Sequence, residues 1–112
     1  MIKIGNKEYK LTLSTRATKE IVKKFNGLEE LGERLSKGNF EDSLDDLIWL
    51  IVLLANQSIQ ADNLMNGTNT PLLTAEEVEL FTTPKDFTTF NEAISEALLD
   101  GTKTEIQSEK NA

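Results

Sequence analysis

Apolar and polar residues alternate at the start of the chain. Ile2 and Ile4 flank Lys3, and Tyr9, Leu11 and Leu13 are separated by Lys10 and Thr12. This period of two predicts a hairpin over the first thirteen residues, turning at Gly5-Asn6, where both residue types accept positive φ. Its apolar face needs a cover, because a lone hairpin is marginal in water. The edge carrying Ile2 and Ile4 then either packs on its own domain or pairs with another chain.

From Ser14 onward the spacing becomes helical. Ser14 or Thr15 caps a predicted helix reaching Phe25, with Ala17, Ile21, Val22 and Phe25 on one stripe and Asn26-Gly27 as a left-handed end. Leu28, Leu31 and Leu35 mark a second, short helix from Leu28 to Ser36. It is weakened by Gly32 and expected to stop at Lys37-Gly38. A third helix opens at Ser43, which with Asp46 resembles a capping box, and Phe40 is placed to close on its first turns. Leu47 to Ala55 is apolar on all sides, which predicts a central helix surrounded by other helices or by another subunit.

Gln57 to Pro71, rich in Asn, Gly and Thr, reads as a loop. Its apolar residues Leu64 and Met65 either pin it to the core or belong to a segment that orders on a partner, with Leu72 and Leu73 continuing the apolar surface. Thr74-Ala75-Glu76-Glu77 is a capping box opening a short helix with Val78, Leu80 and Phe81. Thr82-Thr83-Pro84 breaks it. Pro84 then starts a last helix with Phe87, Phe90, Ile94, Ala97 and Leu98 on one stripe. Gly101 is expected to end it, leaving 102–112 as a flexible polar tail. The predicted fold is mainly α (α+β): an N-terminal β-hairpin, then about five short helices packed around a central apolar helix. It forms a single domain over residues 1–101.

Composition narrows the function. At 112 residues one domain is expected, and the absence of His and Cys excludes a Ser-His-Asp triad, a Cys nucleophile, a disulfide and the usual zinc sites. The net charge of −7 argues against a general nucleic-acid binder. The apolar run from Leu47 to Ala55 falls well short of the roughly 20 residues that span a bilayer. Residues 1–7 lack the apolar stretch of a secretory signal, so a cytoplasmic location and no membrane partner are expected. Charge is uneven: residues 1–37 hold nine Lys/Arg against five Glu, whereas residues 38–112 hold three against fourteen acidic groups. The two halves either form solvated faces that attract within one fold, or support a homo-oligomer or a docked partner.

Candidate chemistry is sparse. Asp42, Asp45 and Asp46 have the spacing to share a helix face around Mg²⁺ or Ca²⁺, yet a helix N-terminus favours the same residues without metal. Glu76, Glu77 and Glu79 lie at the start of a short helix with no evident apolar pocket to raise a pKa. Gly27, Gly32 and Gly38 are dispersed and form no phosphate loop. Trp49 is read as a core residue. No catalytic, metal or cofactor site is predicted.

Three segments carry a resemblance. Tyr9-Lys10-Leu11-Thr12-Leu13-Ser14-Thr15-Arg16-Ala17 leads into Lys24-Phe25-Asn26-Gly27-Leu28-Glu29-Glu30-Leu31. A central stretch reads Ser43-Leu44-Asp45-Asp46-Leu47-Ile48-Trp49-Leu50-Ile51. A later one, Leu73-Thr74-Ala75-Glu76-Glu77-Val78, precedes a helix with Ala93-Ile94 and Ala97-Leu98. Over roughly residues 1–101 this order resembles the tail assembly chaperones of long-tailed (siphovirus-like) bacteriophages.

The resemblance implies a non-enzymatic protein of the host cytoplasm. Such a protein binds the tape measure protein, keeps it soluble while the tail tube assembles, and is absent from the mature virion. In many relatives a ribosomal frameshift gives a longer product thought to recruit the tail tube protein. Client contacts are expected at Leu64, Met65, Leu72 and Leu73, or beside the central helix. A second reading is a small acidic regulator that occupies the basic surface of a nucleic-acid-binding protein. A third is a metal-dependent enzyme built on Asp42, Asp45 and Asp46.

Overall fold

The computed structural model describes residues 1–37 and 40–111, and the side chains of all of these except 32, 34–37, 40–43 and 103–111. The chain runs β1 (Ile2–Ile4), β2 (Lys7–Tyr9), α1 (Thr15–Phe25), α2 (Leu28–Lys37), α3 (Phe40–Asn66), α4 (Ala75–Phe81) and α5 (Asp86–Asn111). It is the mainly helical fold with an N-terminal antiparallel hairpin that the residue pattern predicts.

In the hairpin Ile2 pairs with Tyr9 and Ile4 with Lys7, leaving Gly5-Asn6 as a two-residue turn. Gly5 supplies the positive φ that such a turn needs at its first position (+63°). Ile2 and Ile4 are buried, and β1 packs against α4 and α5, so these two side chains serve the protein's own core. Past Tyr9 the chain leaves the hairpin, and residues 10–14 run extended along α3. The Thr12 N–H donates to the Leu54 carbonyl at 3.2 Å.

Ser14 caps α1, its hydroxyl accepting the Ala17 N–H at 3.0 Å. Ala17, Ile21 and Phe25 face the core, whereas Val22, expected on the same stripe, is 46% exposed on the outer side. Asn26 closes the helix in the left-handed conformation (φ 66°), its N–H donating to the Val22 carbonyl at 2.9 Å.

At the centre lies α3, with Leu47, Leu50, Ile51, Leu54 and Ala55 buried against α1, α2, α4 and α5. Ile48, Trp49, Val52 and Leu53 pack on this core but are only partly buried. The cover expected on every side of the apolar run is therefore incomplete on one of them.

Two predicted boundaries in the C-terminal half need correction. The first is the loop from Gln57 to Pro71: α3 continues to Asn66 and ends at Gly67 (φ +66°), with the Thr68 N–H donating to the Asn63 carbonyl at 3.2 Å as in a Schellman motif. Its polar residues belong to the helix, because their side chains hold extended backbone lying on either side. Ser58 donates to the Lys10 carbonyl at 2.9 Å, and Gln57 accepts from the Ser14 hydroxyl. Asn63 accepts the Thr70 N–H at 3.0 Å and donates to the Thr70 carbonyl at 3.1 Å. Asn56 holds Leu73 in the same way.

The second is the helix end at Gly101, which instead lies inside α5. A Cβ there would sit 2.8 Å from Leu13 side-chain carbons, so glycine permits close packing rather than marking a terminus. Residues 102–111 continue the helical backbone of α5.

The remaining elements follow their local signals. Thr74 and Glu77 form the capping box of α4: the Thr74 N–H donates to Glu77 Oε1 at 2.9 Å and the Glu77 N–H to Thr74 Oγ1 at 3.2 Å. Before α5, the Thr83 N–H donates to Asp86 Oδ2 at 2.9 Å, and Pro84 lies in the turn ahead of the helix rather than in its first turn. Phe87, Phe90, Ile94 and Ala97 are buried on the expected stripe, and Leu98 is partly so. A third correction is the start of α3: the helix begins at Phe40, so Ser43 lies inside it rather than at its cap. The predicted Gly38 stop and Phe40 staple fall outside the described residues and side chains.

Candidate functional site

The incomplete side of α3 forms a groove of about 380 Å³. Trp49, Val52 and Leu53, at helical spacing i, i+3 and i+4, supply its floor, and Leu72 closes one side from the returning segment. Arg16 and Glu20 of α1 form the opposite edge, while Asn56, Gln57 and Gln60 extend the lining toward the C-terminal half of α3. Arg16 Nη1 donates to Gln60 Oε1 at 3.5 Å, joining the two helices across the groove's end.

Trp49 is held by two neighbours from the end of α1. Its ring meets Phe25 edge-on, with centroids 5.7 Å apart, and Lys24 Nζ stands 5.2 Å from its centroid. The residue expected in the core is thus a half-buried part of the groove floor. Its position was legible as a helix with an apolar fourth side, but no sequence feature shows which neighbour leaves that side open.

The four residues expected to touch a partner divide. Leu64 and Met65 stand 87% and 82% exposed on the last turns of α3, not on a loop. Leu64 follows Gln60 by four residues and so continues the groove face of the helix. Met65 lies eighteen residues, five full turns, past Leu47, on the core-facing line but beyond the core. Leu72 borders the groove, 42% exposed, whereas Leu73 is 3% exposed and belongs to the core. The structure therefore brings Leu72 and Leu64 to the groove side and removes Leu73 from any docking surface.

Of the acidic residues considered for metal, two have described side chains. Asp45 is exposed and Asp46 buried, and the Asp42 side chain is not among those described. Among the described residues no group of three metal-ligating side chains occurs, and no helix is long and apolar enough to cross a membrane. Chemically, the groove offers a row of apolar contacts bordered by amides and opposite charges, suited to holding the apolar face of another molecule. Comparisons with protein-family models, with curated proteins and with solved structures return no match, so the functional reading rests on these residues.

Proposed function

We propose that this chain is a non-catalytic tail assembly chaperone that binds a tape measure protein and keeps it soluble in the host cytoplasm until a tail tube forms around it. The observation carrying this reading is the open apolar side of α3, where Trp49, Val52, Leu53 and Leu72 line one groove and exposed Leu64 prolongs its face. A tape measure chain awaiting assembly presents long apolar helical faces, and uncovered faces of that size aggregate. A helical groove can cover such a face, and a net charge of −7 favours solubility of the complex. Several copies along one client would add weak contacts into durable binding. The resemblance of the segments around Tyr9, Ser43 and Leu73 supports the same reading.

The test is co-expression with the long helical protein encoded downstream of this chain, scored for client solubility and co-elution. A client that stays soluble only with this chain and elutes with it is the expected result. A client that is soluble alone and elutes separately overturns the proposal.

A further inference from the structure

We infer that the groove takes a single amphipathic helix whose flank facing α1 is acidic. The inference rests on the chaperone reading for the owner of that helix, and on the groove alone for its chemistry. From Trp49 to Gln60 the floor extends about 16 Å at 1.5 Å per residue, three helical turns, which matches a row of apolar side chains repeating at i, i+3 and i+4. The two edges differ in charge. Along α1 stand Arg16, Glu20 and Lys24, two cations around one anion at successive turns, with Lys19 and Lys23 exposed on the next strip. Lys24 already leans over the Trp49 ring. The other edge, Leu72 and Ala75, is uncharged and leads to exposed Glu76. An occupant lying between these edges meets positive potential on the α1 side and negative potential on the α4 side. That difference selects one orientation and one flank.

Trp49 is the one tryptophan of the chain and lines the groove, so its fluorescence reports occupancy. The full chain is titrated with two designed peptides of about 15 residues, four turns of helix. They share one leucine row, and one carries glutamates and the other lysines along the flank. The expected result is a blue shift of Trp49 emission with the glutamate peptide and several-fold tighter binding than with the lysine peptide. The preference should shrink as salt rises and reverse in the Arg16→Glu/Lys24→Glu variant, both sites being exposed. Circular dichroism and the melting midpoint establish that this variant is folded.

No emission change with either peptide, equal affinities, or a preference that charge reversal leaves intact overturns the inference. The chaperone reading fails separately, by an unbound client in co-expression while the glutamate peptide still binds. A client captured equally by wild type and by Arg16→Glu/Lys24→Glu leaves that reading standing and overturns this one.

Discussion

Asn56 and Leu73 are joined by two hydrogen bonds that treat the amide side chain as a strand partner. Asn56 Nδ2 donates to the Leu73 carbonyl at 2.9 Å, and Asn56 Oδ1 accepts the Leu73 N–H at 2.7 Å. Leu73 is buried, so these backbone groups have little access to water. Asn56→Ala removes both partners and is expected to cost about 2 kcal/mol, read as a lower urea midpoint at unchanged slope. Asn56→Asp keeps the acceptor but sets a carboxylate oxygen against the Leu73 carbonyl, and should be at least as destabilising.

Exposure separates the apolar residues near the end of α3 and its return. Leu64→Ser and Met65→Ser should leave stability within about 0.5 kcal/mol, because neither side chain is buried. Leu73→Ala should cost about 2–5 kcal/mol through the cavity it leaves. Thermal melts of the three variants check the division.

Gly101 and Leu13 form a contact that tolerates no extra methyl group. Gly101→Ala gains helix propensity, about 1 kcal/mol, but places a Cβ 2.8 Å from Leu13 carbons. Overpacking of this kind costs about 1–3 kcal/mol, so the expected net effect is destabilising. Adding Leu13→Gly removes every clashing carbon, Cβ included, and a double-mutant cycle should show the two changes strongly coupled.

Tyr9 is the one tyrosine, and its phenol titrates above the ordinary tyrosine value, chiefly through burial and secondly through the Glu77 carboxylate. The unfolded chain therefore ionises first as pH rises. This contribution to stability is complete below the unfolded pKa and is lost as pH climbs through the folded one. Phenolate absorbance in native protein should appear at higher pH than in urea. Glu77→Gln, which preserves a capping side chain, should lower the native midpoint while burial keeps it raised.

The elements with strong local chemistry were legible in the residue order. The Gly5-Asn6 turn, the Ser14 cap, the Asn26-Gly27 end and the Thr74-Glu77 box each depend on neighbours within a few positions. The stripe from Phe87 to Ala97 shows in its period alone. The C-terminal half of α3 was not legible, because Asn56, Gln57, Ser58 and Asn63 are residues that loops favour. Here Asn56, Ser58 and Asn63 bond to backbone outside the helix, and Gln57 to the Ser14 hydroxyl. Gly101 misled for the same reason, its meaning being set by Leu13. The groove itself escaped because sequence shows that the fourth side of α3 is apolar but not that α1 and Leu72 leave it uncovered.

The polar side chains of α3 also impose an order on synthesis and folding. Asn56 reaches Leu73 across 17 residues, whereas Ser58 reaches Thr12 across 46. Closing the longer loop costs roughly 0.9 kcal/mol more in chain entropy. It also requires that the helix already exist, since its side chains provide the anchoring points. The amino-terminal arm leaves the ribosome before its anchors have been translated, while the 70–73 segment follows its own almost at once. Residues 10–14 therefore wait for their anchors, and a nascent chain stalled short of α3 would carry Ile2 and Ile4 without α4 and α5, the helices that β1 packs against.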